Sequence, residues 1–128
     1  MQKPATQQDP ISDITLITDK IIDSIQDIKG KNIIKMDLRD LDESPSDFFI
    51  ICEGESTTQV NAIAGNIEKR LKEEMGMRPF HIEGRQSSTW VLVDYFNVVV
   101  HVFHPETREL YEIEDLWRDA KITEYQDI

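Results

Sequence analysis

The run Phe48-Phe49-Ile50-Ile51-Cys52, closed by Gly54 and followed by a helix signed at both ends, constrains this chain most. Five consecutive apolar residues offer water no polar face, so the run reads as a strand covered on both sides. Ser56 and Gln59 form an S-x-x-Q capping box, each side chain able to satisfy a free amide of the first helical turn. Val60, Ile63, Ala64, Ile67 and Leu71 then recur at helical spacing, and Gly76 with Pro79 marks the exit.

The flanking segments extend this pattern. Ile14, Ile17, Ile21, Ile25 and Ile28 recur every three or four residues, one apolar helical stripe ended by Gly30. Asn32 to Leu38 reads as a strand with Ile34, Met36 and Leu38 on one face, and the acidic stretch Arg39 to Asp47 with Ser44-Pro45 as a loop. Phe80 to Glu83 is a short strand. Trp90 to Asp94 and Val98 to Phe103 flank Tyr95-Phe96-Asn97 and read as a β-hairpin. From Pro105 the pattern is helical, with Leu110, Ile113 and Trp117 expected inward. The order αββαβββα predicts one α/β domain, a mixed β-sheet flanked by helices, over residues 12–120. Residues 1–11 and 121–128 are expected to be tails. At 128 residues the chain is long enough to bury a core without disulfides or metals.

Charge narrows the partners. Fourteen Lys and Arg against 25 Asp and Glu leave −11, which repels a phosphate backbone and favours basic partners or plain solubility. No direct nucleic-acid grip is therefore expected. The single cysteine, Cys52, sits inside the apolar strand, where a buried inert thiol is expected. No stretch approaches the length of a membrane span, and Met1 to Pro10 has neither the apolar core of a signal peptide nor the arginines of a transit peptide. These features point to a cytoplasmic protein.

A search for catalytic groups yields little. Gly54-Glu55-Ser56 between strand and helix lacks the Walker and Rossmann spacings, and Glu55 would repel phosphate, so the capping-box reading is preferred to a phosphate cradle. Asp37, Asp40 and Asp94 are isolated rather than gathered as a two-metal site requires. His81, His101 and His104 lack the i, i+4 pairing of a zinc site, and Ser87, Ser88 and Thr89 sit in no nucleophile elbow. No catalytic residue, metal or cofactor is assigned.

The hairpin and the C-terminal acids are more informative. Val98, Val100 and Val102 form one face of their strand and suit burial under the helices. Val99, His101 and Phe103 form the other, mixing apolar, aromatic and polar groups as a binding surface does. Trp90, Leu92 and Asp94 share a face of the preceding strand. Whether Trp90 lies beside His101 depends on the register, and Trp90 and Phe103 suit a core as well as a surface. Between Glu106 and Asp119 six acids face two arginines, either a solvated helix face or a docking patch for a basic partner.

Several of these segments, in order, resemble the ribosomal silencing factor family, RsfS or Iojap. They are Asp47-Phe48-Phe49-Ile50-Ile51 with Gly54 and Ser56, Glu83-Gly84, Trp90-Val91-Leu92-Val93-Asp94-Tyr95, Val98 to Phe103, Arg108-Glu109-Leu110-Tyr111 and Glu114-Asp115-Leu116-Trp117. The likeness runs from about Ile14 to Ala120. Two turns depart from it: Gly54 to Val60 reads Gly-Glu-Ser-Thr-Thr-Gln-Val where Gly-Thr-Ser-x-Arg-His-Val is usual, and Tyr95-Phe96-Asn97 stands where Tyr-Gly-Asp is usual.

The resemblance implies a fold like that of nucleotidyltransferases without their active site. It also implies a translational repressor, not an enzyme, that binds the basic large-subunit ribosomal protein numbered fourteen and blocks subunit joining when nutrients are short. It further implies a contact surface containing Trp90, His101, Phe103, Arg108 and Tyr111, with Glu83 and Asp94 as weaker members. Trp90 would be the aromatic anchor. The alternatives are a metal-dependent nucleotidyltransferase-like enzyme, or a module that binds another basic protein or forms a homodimer.

Overall fold

The computed structural model describes residues 10–128, with side chains from Asp13 onward. The elements are α1 (Pro10–Asp27), β1 (Lys31–Asp37), β2 (Phe48–Glu53), α2 (Thr57–Met75), β3 (His81–Glu83), β4 (Trp90–Asp94), β5 (Val98–Phe103), α3 (Pro105–Tyr111), α4 (Ile113–Leu116) and β6 (Lys121–Tyr125). Six strands form one sheet in the order β3-β4-β5-β2-β1-β6. β2 and β5 run parallel and every other neighbouring pair is antiparallel, so the sheet is mixed as expected.

β2 lies inside the sheet, and its alternation feeds two cores. Phe48, Ile50 and Cys52 pack with Val98, Val100 and Val102 under the buried stripes of α1 and α2. Phe49 and Ile51 point the other way, into a smaller cluster with Met36, Leu38, Val99, Phe103 and Ile113. The doubly covered strand and the buried valine face are therefore both present. Cys52 is wholly buried, and burial pushes its thiol pKa up to about 12, which keeps it neutral and unreactive.

The capping box of α2 forms with one change. Ser56 Oγ accepts the Gln59 N–H at 3.1 Å, but Gln59 Oε1 accepts the N–H of Glu55, one residue ahead of the cap, at 2.7 Å. Gln59 Nε2 donates to the carbonyls of Ile28 and Lys29, so the same side chain ties the start of α2 to the end of α1. Gly76 closes α2 in the left-handed region, at φ 65°. Its N–H donates to Lys72 O, the bond of an αL cap, and that of Met77 donates to Leu71 O. Arg70 of α2 links the two helices through Asp23 and Asp27 of α1 and also pairs with Glu74 of its own helix.

Three expectations change. Residues 121–128 are not all tail: Lys121–Tyr125 pair with Ile33–Asp37 as the edge strand β6. The C-terminal helix is two short helices, because Glu112 adopts a left-handed φ of 46° between them. That break leaves Leu110 76% exposed instead of inward, while Ile113 is buried and Trp117 half-buried. The expected N-terminal tail falls mostly on residues 1–9, outside the described residues, and α1 begins at Pro10. No described helix is long and apolar enough to cross a membrane.

Candidate functional site

The hairpin register decides which candidate residues meet. Trp90 pairs with Phe103, Leu92 with His101 and Asp94 with Val99. Directly opposed residues of an antiparallel pair share a face, so Trp90, His101 and Phe103 converge on the sheet face that α3 and α4 cover. His104 Nδ1 accepts the Glu106 N–H as the N-cap of α3, and Pro105 occupies the first helical turn, as its fixed φ favours. This short helix brings Tyr111 back over the hairpin, its ring centroid 5.0 Å from that of Trp90.

The result is a graded aromatic stack. Phe103 is fully buried, Trp90 stacks on it at 4.9 Å and is half-buried, and Tyr111 is 55% exposed. The Trp90 indole Nε1–H donates to His101 Nδ1 at 3.1 Å. A ring nitrogen that accepts carries no proton, so His101 bears its proton on Nε2. His101 is buried, its ring packs edge-on against Phe49 at 4.6 Å, and Nε2 meets no hydrogen-bond partner among the described residues. Burial lowers its pKa to about 4, so the ring is neutral near pH 7.

Val99, His101 and Phe103 are thus core groups beneath the surface and not the surface itself. The face expected as a binding surface is roofed by Ile113 and by the half-buried Leu41, Trp117 and Ala120. Trp90 stands at the boundary, core on one side and edge on the other.

Arg108 serves as an internal clamp. Its guanidinium lies 3.0 Å from a carboxylate oxygen of Glu53 at the end of β2 and 3.0 Å from one of Glu114 in α4, and it donates to the Asn32 carbonyl at 2.8 Å. Its side chain is only 11% exposed. Pairing one cation with two carboxylates fixes α3 and α4 against the ends of β1 and β2.

The two weaker candidates lie apart from the stack. Asp94 Oδ1 accepts the Phe96 N–H at 2.7 Å and so shapes the hairpin turn. It stands at the opposite end of β4 from Trp90. Glu83 is exposed on edge strand β3, on the same sheet face as Leu92, and pairs with His81 at 3.0 Å.

Other residues complete the site. Leu110, Tyr111 and Leu116 are 76%, 55% and 73% exposed, apolar groups presented by two adjacent short helices. Glu106, Glu109 and Glu112 line a shallow hollow with Leu110, and Asp115 is exposed in α4. The spacing of Leu110, Ile113 and Trp117 puts Leu110 inward, and nothing in it signals the break at Glu112. Glu53 is the one functional side chain with a missed signal, as the acid that ends an apolar strand. An apolar shelf rimmed by carboxylates can bind a cationic protein surface. Among the described residues no three His, Cys, Asp or Glu side chains gather as metal ligands.

Comparisons with known proteins agree with the resemblance. The family described as "Ribosomal silencing factor during starvation" matches residues 12–128. The ribosomal silencing factor RsfS of Chromobacterium violaceum is 41% identical over 109 residues, covering 85% of this chain and 88% of that one. A mouse protein named for mitochondrial assembly of the ribosomal large subunit is 38% identical over 74 residues, 56% of this chain and 32% of its own length. An X-ray structure of a Chromobacterium violaceum protein superposes with a TM-score of 0.77 at 42% identity, covering 81% of this chain and 85% of that one. With the family matched across nearly the whole domain, this chain belongs to the ribosomal silencing factor family, RsfS.

Proposed function

We propose that this protein is a non-enzymatic translational repressor that acts in the cytoplasm. It docks on the large ribosomal subunit through a basic ribosomal protein at the subunit interface, the one numbered fourteen, and thereby blocks joining of the small subunit. The observation that carries this reading is the exposed shelf of Leu110, Tyr111 and Leu116, backed by the half-buried Trp90 and rimmed by Glu106, Glu109, Glu112 and Asp115. An aromatic and aliphatic centre supplies the desolvated contact, and the acids steer a basic partner and speed encounter. Family membership and the ribosomal names of the relatives support a ribosomal partner.

Repression then needs no chemistry. A folded domain seated on one face of the subunit interface keeps the opposing surfaces apart by its bulk alone. Trp90 and Tyr111 make the contact in this reading. His101, Phe103 and Arg108 position them from below, and Glu83 and Asp94 contribute charge at a distance. Sedimentation of purified large subunits with the protein tests the docking, and a reconstituted joining assay tests the block. Co-migration with large subunits and a reduced yield of joined ribosomes are expected. A protein that stays in the supernatant, or that binds without reducing joining, contradicts the reading.

A further inference from the structure

The edge of the sheet at β3, on the α2 side, carries a second surface that the docking shelf does not use. An open groove of about 740 Å³ runs between the C-terminal half of α2 and β3. Lys69, Lys72, Arg78 and Arg85 line it with only two carboxylates, Glu68 and Glu73, so it is locally cationic in a chain of net charge −11. Arg85 is engaged by Asn61 and Glu68, whereas Lys69, Lys72 and Arg78 have no ion-pair partner among the described residues.

Phe80, at the lip of this groove, is 76% exposed, and Phe96 from the β4–β5 turn, 70% exposed, meets it edge to face with centroids 5.6 Å apart. Phe96 stands at φ 75°, a left-handed backbone that a bulky residue rarely adopts. Its N–H is fixed on Asp94 Oδ1, and the turn is closed by the Tyr95 N–H on Val98 O, so the ring is held out in water by an ordered turn. Strained backbone of this kind points to function when the residue it displays has no structural duty.

We propose that this groove and its aromatic pair bind single-stranded RNA, the cations taking successive phosphates and the phenyl faces stacking bases. Unpaired cations along a groove beside exposed rings are the recurring elements of sequence-tolerant single-strand binders. An acidic peptide would satisfy the cations but make no use of two exposed phenyl faces, so RNA is the better match. The overall −11 does not forbid it. Salt screens exposed charges that lie more than a Debye length apart, and the acids of α3 and α4 cover the opposite face of the sheet. A particle made of RNA and protein is thus met by two faces of one small domain.

The test is fluorescence anisotropy of the full chain with a labelled oligouridylate of about ten nucleotides, within the site size of small single-strand binders. With three phosphates neutralised, raising salt from about 50 to about 200 mM should weaken binding roughly 20-fold. Phe80→Ala should weaken it about tenfold with an unchanged circular dichroism spectrum, since one lost stacking partner accounts for that much. The pair Lys69→Glu and Arg78→Glu should abolish binding, and Leu110→Ser on the docking shelf should leave it unchanged. The proposal is overturned by an absence of binding or by equal binding of the Phe80→Ala chain. It is also overturned if a polyglutamate peptide displaces the RNA at equal charge, which would assign the groove to an acidic protein.

Discussion

The indole Nε1 of Trp90 and the imidazole Nδ1 of His101 lie 3.1 Å apart, donor to acceptor, across the β4–β5 ladder. That bond requires a neutral His101, because a protonated ring has no acceptor to offer. It also fixes the indole plane, so that Trp90 stacks on Phe103 and meets Tyr111 at a tilt of 47°. The buried imidazole thereby sets the geometry of the exposed shelf.

Acid should loosen this arrangement. The folded pKa of His101, about 4, lies below the ordinary value of 6.5, so the unfolded chain binds more protons between those limits. Its contribution to stability is complete above about pH 6.5 and is lost as pH falls toward 4, amounting to about 3 kcal/mol at most. Urea unfolding at pH 7.5 and 4.5 should show this loss beyond that of a His101→Phe chain, which has no proton to take up. Equal acid sensitivity in both chains would mean that other groups dominate.

Arg108→Ala should destabilise the fold by about 3 kcal/mol, because it leaves the Glu53 and Glu114 carboxylates clustered without a counter-ion. Glu53 is only 15% exposed and cannot recover full hydration. In a double-mutant cycle Glu53→Gln should recover part of that loss. Thermal melts of the four chains give the coupling directly.

Leu110→Ser and Ile113→Ala, three residues apart, should behave oppositely. Leu110 is 76% exposed. Its replacement should weaken docking while changing stability by only about 0.5 kcal/mol. Ile113 is buried under the sheet, and truncating it should cost about 2–4 kcal/mol. A destabilised Leu110→Ser chain would show that α3 and α4 join as one helix with Leu110 inward.

Gly84→Ala should be among the most damaging single-methyl changes. Gly84 stands at φ 88°, and a Cβ there would run into the backbone carbonyl of Trp90. Left-handed strain alone costs about 1–2 kcal/mol, and the backbone collision adds to it. Since the turn from Gly84 to Ser88 delivers Trp90 to β4, ribosome binding should fall with stability.

The elements legible in the sequence are those whose burial is written into their own spacing. Phe48 to Cys52, the stripe from Val60 to Leu71 and the alternating valines of β5 each state which face is covered. β6 is not legible because it is an edge strand whose residues from Lys121 to Glu124 are exposed, and its only partner is β1. The break at Glu112 is hidden for a different reason. No glycine or proline marks it, and the Arg108 clamp, which joins nearby Glu114 to Glu53, 55 residues back in sequence, accompanies the bend. His101 reads as part of a surface, and Phe103 as either surface or core, because their own strand alternates valine with larger groups. Their cover comes from residues after Pro105, which strand periodicity cannot reveal.

The central claim is that the Trp90–Tyr111 shelf docks on the large ribosomal subunit. Co-sedimentation of purified large subunits with the native chain and with Leu110→Ser/Tyr111→Ala, both at equal thermal stability, tests it most directly. The account predicts that the native chain travels with the subunits and that the double variant stays largely in the supernatant. Equal co-sedimentation of the two chains would contradict it.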